Sequence, residues 1–163
     1  MALGEWLEQF RVLHEEAKRG KLTGQQLSDY YGARDELAQV LLAAQHIAIE
    51  PGQKPRRALR VSRALQAEIT TFDGTVRVVT RSISSGGFAA LLTRPPKLGE
   101  DVKVVLRLPG SEPLHAEARV VVDVKGPPGS GHVSFRWRGL SDAEIERIET
   151  FVFDVALEQL QSR

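Results

Sequence analysis

The sequence contains no cysteine. That excludes a disulfide framework, a cysteine nucleophile and any thiolate-ligated zinc or iron–sulfur site, and it fits a reducing compartment. No apolar run approaches the roughly 18 residues that a membrane span requires. The opening MALGEWLEQF lacks a basic leader and an unbroken apolar core. No signal peptide is therefore expected, and a cytoplasmic protein is the default. Catalytic signatures are missing as well. His14, His46, His115 and His132 lie far apart and form no HExxH pattern. There is no P-loop, no GxSxG and no GxGxxG after a strand. Neither an enzyme nor a metal centre is expected, and each histidine reads as a surface or partly buried polar residue.

What is present is an ordinary globular composition. Of 163 residues, 42% are hydrophobic and 26% charged, which argues against disorder. The length suits one domain, or one domain with a helical appendage. The net charge of +1 hides an asymmetry. Residues 1–50 carry five Lys/Arg against eight Asp/Glu, and residues 51–163 carry seventeen against thirteen. Between Pro51 and Arg63, Lys54, Arg56, Arg57, Arg60 and Arg63 occur without a single acid. That is a local anion-binding signal, too short for a general nucleic-acid surface.

Two helices are predicted in residues 1–50. Leu3, Trp6, Leu7, Phe10, Leu13 and Ala17 recur at helical spacing, and Gly20 ends the first stripe. Thr23 and Gln26 make a capping box for the second, with Leu22 and Leu27 at the staple positions. Leu27, Tyr30, Tyr31, Leu37, Leu41 and Ala44 continue it. A basic linker is expected at 51–60, where two prolines and a glycine fall close together. From there the period changes to strands: Leu65, Ala67 and Ile69; Val76 and Val78; Val102 to Leu108; Ala118 to Val122; Val133, Phe135 and Trp137. A short strand at Phe88–Leu92 precedes Pro95 and Pro96. Five or six short strands with tight turns predict a small closed barrel. Ser141 and Glu144 form a second capping box, with Leu140 and Ile145 at its staple positions. It opens a last helix of about twenty residues, roughly 30 Å long.

Two segments carry recognition chemistry. Arg56-Arg57-Ala58-Leu59-Arg60 is an RxxxR arrangement, and Ser82-Ile83-Ser84-Ser85-Gly86-Gly87 is a serine- and glycine-rich turn. Arginine offers a planar fork of donors that grips phosphate and stacks on a purine. Glycines let backbone N–H groups line a pocket that a side chain would block. In this order, with the second motif starting twenty-six residues after Arg56, the pair resembles the PilZ domain family of cyclic-di-GMP receptors. The resemblance covers about Pro55 to Gln161. It includes Phe88 after the last glycine, the Pro95-Pro96-x-x-Gly99 stretch, and the passage from Val133-Ser134-Phe135 to Leu140-Ser141.

The resemblance implies a six-stranded antiparallel β-barrel with a C-terminal helix spanning 61–163, behind the helical hairpin of 1–50. It implies that Arg56 and Arg60 bind phosphate and stack on guanine, that Arg57 lies near a second phosphate, and that Ser84 and Gly87 are the motif serine and glycine. Ser82 stands where the family uses Asp or Asn on a guanine edge. Losing such a charge-assisted bond costs about 1.5–3 kcal/mol, ten- to hundredfold in affinity. Arg81, next to it, reads as exposed.

Three functions compete. The first is a cyclic-di-GMP-responsive adaptor in which ligand draws residues 51–60 onto the barrel and changes the surface a protein partner meets. The second is a PilZ-like interaction module without nucleotide, favoured by Ser82. The third, an oligonucleotide-binding barrel, needs exposed aromatics on its strands; Phe135 and Trp137 alternate as core residues instead. A homodimer through the helices is expected, because Trp6, Leu7, Phe10, Leu13, Tyr30, Tyr31, Leu37 and Leu41, with Phe151, Val155 and Leu160, form more apolar surface than a small barrel covers. The competing expectation is a hairpin folded back on its own barrel.

Overall fold

The computed structural model describes residues 2–47, 58–93, 96–122 and 131–161. The chain divides into two compact units, Met1–Leu59 and Arg60–Arg163. Arg56 and Arg57 lie outside the described residues, as does most of the 51–60 segment.

The first unit is a pair of helices, α1 (Leu3–Lys18) and α2 (Gly24–Ile47). α1 ends where Gly20 turns left-handed, at φ 70°. The Gly20 N–H bonds the Ala17 carbonyl and the Lys21 N–H bonds that of Glu16, which satisfies carbonyls the helix end leaves unpaired. Across the pair, Trp6 stacks on Phe10 and Phe10 on Tyr30, at centroid separations of 5.7 and 5.8 Å. His14 is buried beside them, its Nδ1 2.7 Å from the Tyr30 hydroxyl. The apolar residues named from the sequence divide by burial. Phe10, Tyr30 and Leu37 are buried, Trp6, Leu7, Leu13 and Leu41 half-buried, and only Tyr31 of the eight is exposed.

The second unit is the barrel. Its strands are β1 (Val61–Ser62), β2 (Gln66–Thr71), β3 (Gly74–Ser84), β4 (Gly87–Leu91), β5 (Asp101–Leu106), β6 (Leu114–Val122) and β7 (His132–Arg138). All neighbours are antiparallel. The order β3-β2-β5-β6-β7-β4 closes when β4 returns to β3, giving six strands and no free edge in the ring. The seventh, β1, is an addition of two residues. It extends the line of β2 along β3, pairing Val61 with Ile83 and Ser62 with Ser82. β3 is long enough to serve both.

Inward side chains follow the predicted alternation. Ala67, Ile69, Val78, Ile83, Phe88, Val102, Val104, Leu106, Ala118, Val120, Val133, Phe135 and Trp137 are all buried. Phe88 stacks on Phe135 at 4.7 Å and meets Trp137 at 4.9 Å. Val76 departs from the pattern at 47% exposure. It sits opposite Ile69, two residues from the Gly74 end of the β2–β3 hairpin.

The last helix, α3 (Asp142–Gln161), starts with both arms of its capping box made. The Ser141 N–H donates to Glu144 Oε1 at 2.9 Å and the Glu144 N–H to Ser141 Oγ at 3.1 Å. The Ser141 backbone N–H, and then its side chain, hold the Glu144 carboxyl below its ordinary range. Ile148, Val152, Val155 and Ala156 form a buried stripe, and the helix packs against β3 and β1. Val155 is buried, and Phe151 and Leu160 are half-buried. Arg63 and Glu158, 2.7 Å apart, add a tie between helix and barrel.

Candidate functional site

β3 gathers the candidate residues. Near its middle the ladder to β4 shifts between Thr80 and Ser82, leaving Arg81 as the bulged residue, exposed as expected. The chain between β1 and β2 pins this bulge. The Arg63 N–H donates to the Arg81 carbonyl at 3.2 Å, the Leu65 N–H donates to Thr80 Oγ1, and that hydroxyl donates to the Arg63 carbonyl. The same pairing carries the end of the RxxxR segment to the second motif. Arg60 Nη1 donates to Ser82 Oγ at 3.2 Å, across 22 residues of sequence. Both side chains are half-buried. Of the three arginines named from the sequence, Arg60 is therefore placed against the motif, and Arg56 and Arg57 are outside the described residues.

Ser84 ends β3 and Gly87 begins β4, on either side of the turn. Ser84 is buried, and its Oγ accepts from the Gly86 N–H at 3.1 Å and the Gly87 N–H at 3.2 Å. Those N–H groups are occupied in closing the turn. Gly87 is required by close packing: a Cβ there would lie 2.0 Å from the Phe135 carbonyl oxygen on β7. Ser84 and Gly87 thus fix the shape of the turn, while Ser82 and Arg60 face outward from it.

Two supports were not read from the sequence. Trp137 Nε1 donates to the Ser84 carbonyl at 3.1 Å, and Ser85 Oγ donates to Glu149 on α3 at 2.5 Å. An indole in a strand read as core was the available signal, since a buried Trp needs an acceptor. Nothing in the sequence pointed to Glu149. On the outer face of β5, β6 and β7, Asp101 accepts from Arg119 at 2.9 Å and from Arg138 at 3.0 Å. The Arg119 hydrogen bond chiefly holds the Asp101 carboxyl below its usual range; partial desolvation opposes it and Arg138 adds to it.

Among the described residues no group of three His, Cys, Asp or Glu side chains could hold a metal ion. None of the described helices is long and apolar enough to cross a membrane. Several solved structures share the fold. MotI/DgrA of Bacillus subtilis is 19% identical, with a TM-score of 0.58 over 66% of this chain and 54% of its own. YcgR of Escherichia coli in complex with c-di-GMP is 19% identical, with a TM-score of 0.59 over 67% and 49%. The MrkH–c-di-GMP complex of K. pneumonia is 18% identical, with a TM-score of 0.59 over 68% and 57%. The matched regions span about half the length of these proteins. No curated protein matches the sequence closely enough to compare. The sequence profile of the PilZ domain matches residues 54–154, which takes in both motifs, all seven strands and much of α3. With the closed barrel and its trailing helix in place, the chain belongs to the PilZ domain family.

Proposed function

We propose that this PilZ chain is a receptor for cyclic-di-GMP that acts as an adaptor, changing its protein interactions when ligand binds. One observation carries the reading: Arg60 is held against Ser82 at 3.2 Å, so the two motifs meet at one place on the barrel. A guanidinium is the group that grips phosphate through its planar fork and stacks on a purine. Arg56 and Arg57, four and three residues upstream, supply further cationic groups from the segment that joins the two units. A dianionic dinucleotide neutralises these charges. In this reading it also draws the 51–60 segment onto the barrel, which changes the surface a protein partner meets. The c-di-GMP complexes of YcgR and MrkH support the ligand class. We place the chain in the cytoplasm on the same reading. We also propose a homodimer through the helices, together with a further protein partner.

The second reading, an interaction module without nucleotide, is favoured by Ser82 itself. Its hydroxyl is engaged by Arg60 and cannot match an Asp or Asn on a guanine edge. Calorimetry of the full chain with cyclic-di-GMP decides between them. Binding that weakens by about 1.5–3 kcal/mol in Arg60→Ala, the scale of a charge-assisted bond, supports the receptor; Ser82→Asp should tighten it. Tight binding indifferent to Arg60→Ala would show that the site has been misassigned. No binding by the wild type or by Ser82→Asp would leave the interaction module standing.

A further inference from the structure

The outer face of the barrel differs between its two halves. Over β5, β6 and β7, Asp101 holds both Arg119 and Arg138. Over β3, β2 and β5 the charges are left open. There the register sets Arg77 beside Glu68, Lys103 beside Thr70, and Arg107 beside Gln66, whose carbonyl accepts the Arg107 N–H at 3.0 Å. Cross-strand partners share a face, and adjacent strands are about 4.8 Å apart, so three strands make a face about 10 Å wide. Arg77, Lys103 and Arg107 are all exposed, and Glu68 is half-buried between them. Glu68 lies 3.8 Å from Arg107. No ion pair to Arg77 or Lys103 is found among the described residues.

Two further observations fit this face to a protein segment. It is concave: a groove of about 380 Å³ is lined by Arg77, Arg107, Glu68, Gln66 and Val79. It is also apolar at one side. Val79 is 51% exposed, and the β3–β4 ladder, which pairs Thr80 with Ala90, brings the exposed Leu91 beside it. Open cations next to open aliphatic side chains suit a partner that brings negative charge and apolar contact together. None of these side chains is aromatic, and nucleic-acid bases would need rings to stack on. The patch stands apart from the motifs as well. Arg77 is five residues along β3 from Ser82, or about 16 Å.

We propose that the outer face of β3, β2 and β5 docks an acidic segment of the protein partner, with its carboxylates on Arg77, Lys103 and Arg107 and an apolar side chain against Val79 and Leu91. This rests on the adaptor reading and names the chemistry of the partner; it holds whether or not nucleotide binds. The exposed cations steer the approach in a salt-dependent way, and the aliphatic pair holds the docked segment.

The test is fluorescence anisotropy of the full chain with a labelled peptide of Glu-Glu-Leu repeats. Its controls are the same peptide with Gln for Glu and a single-stranded DNA of equal charge. Calorimetry with cyclic-di-GMP and thermal melts run alongside. The acidic peptide should bind, more weakly as salt rises. Combining Arg77→Glu with Arg107→Glu should weaken it at least about tenfold, because like charges then face each other. Arg77→Lys should stay within about twofold. Val79→Ser, which leaves every charge in place, should weaken it about fivefold, and it decides alone if the double variant does not fold. Affinity for cyclic-di-GMP should stay within about twofold in all of them. Peptide binding indifferent to the double reversal, and to Val79→Ser, overturns the proposal. So does a wild type that binds no acidic peptide, or one that binds the DNA as tightly. Loss of cyclic-di-GMP binding in a folded double variant assigns the face to the ligand, which overturns the docking site while the receptor reading survives. A wild type that binds the peptide as described but no cyclic-di-GMP overturns the receptor and leaves the docking site in place.

Discussion

The helical pair and the barrel reach stability by different routes. In the barrel every strand of the ring is paired on both sides, and inward residues from six strands meet in one core. Two helices have no such closure. Among their described side chains are a file of rings, Trp6, Phe10 and Tyr30, and a buried bond between His14 and Tyr30. One unit is over-determined by its backbone pairing, and the other by a few side chains. The barrel should therefore be intolerant of small backbone intrusions that the helices accept.

The sharpest contrast uses the same kind of substitution at two glycines. Gly87→Ala drives a methyl into the Phe135 carbonyl and must part β4 from β7. A loss above about 4 kcal/mol is expected, read by urea denaturation; a near-normal midpoint would show that the barrel can flex at this seam. Tyr30→Phe comes next. It removes the hydroxyl from His14 and should cost about 1–3 kcal/mol, with cyclic-di-GMP affinity unchanged if the two units are independent. Ser141→Ala deletes one arm of the α3 cap and should cost about 1 kcal/mol. The other arm makes Glu144 pH-sensitive. Its carboxyl is depressed in the folded state, so its contribution is present above the ordinary carboxylate range and disappears as pH falls through the depressed value. The midpoint gap between wild type and Glu144→Ala should be widest near neutrality and close in acid. Smallest is Gly32→Ala, within α2, where a Cβ meets nothing within 4 Å. It should stabilise the helix by about 0.5–1 kcal/mol, and a loss at that site would show that the helical unit is packed as tightly as the barrel.

What could be read from the sequence followed local rules. The alternation of Val102, Val104 and Leu106, or of Val133, Phe135 and Trp137, is fixed by the two-residue period of a strand. The Ser141–Glu144 box needs only four consecutive residues to declare itself. β1 could not be read this way. Two residues have no period, and they form a strand only because β3 extends past β2. The site divides in the same manner. Motif spacing identified Arg60 and Ser82 as candidates, but their contact depends on that short strand. The occupied hydroxyl of Ser84 depends on backbone atoms of a turn, which composition does not encode. The burial of Val155 depends on where α3 lies over β3 and β1.

Trp137 gives the candidate site its own optical reporter. The chain has two tryptophans, one in each unit. Trp6 lies on α1, and Trp137 holds the carbonyl of Ser84 through its indole nitrogen. Indole emission responds to hydrogen bonding and polarity around the ring, so a shift in the motif turn changes the colour of Trp137 directly. In a Trp6→Phe chain all tryptophan light comes from the residue that touches the turn, and the barrel's response to a titrant can be followed without any added dye.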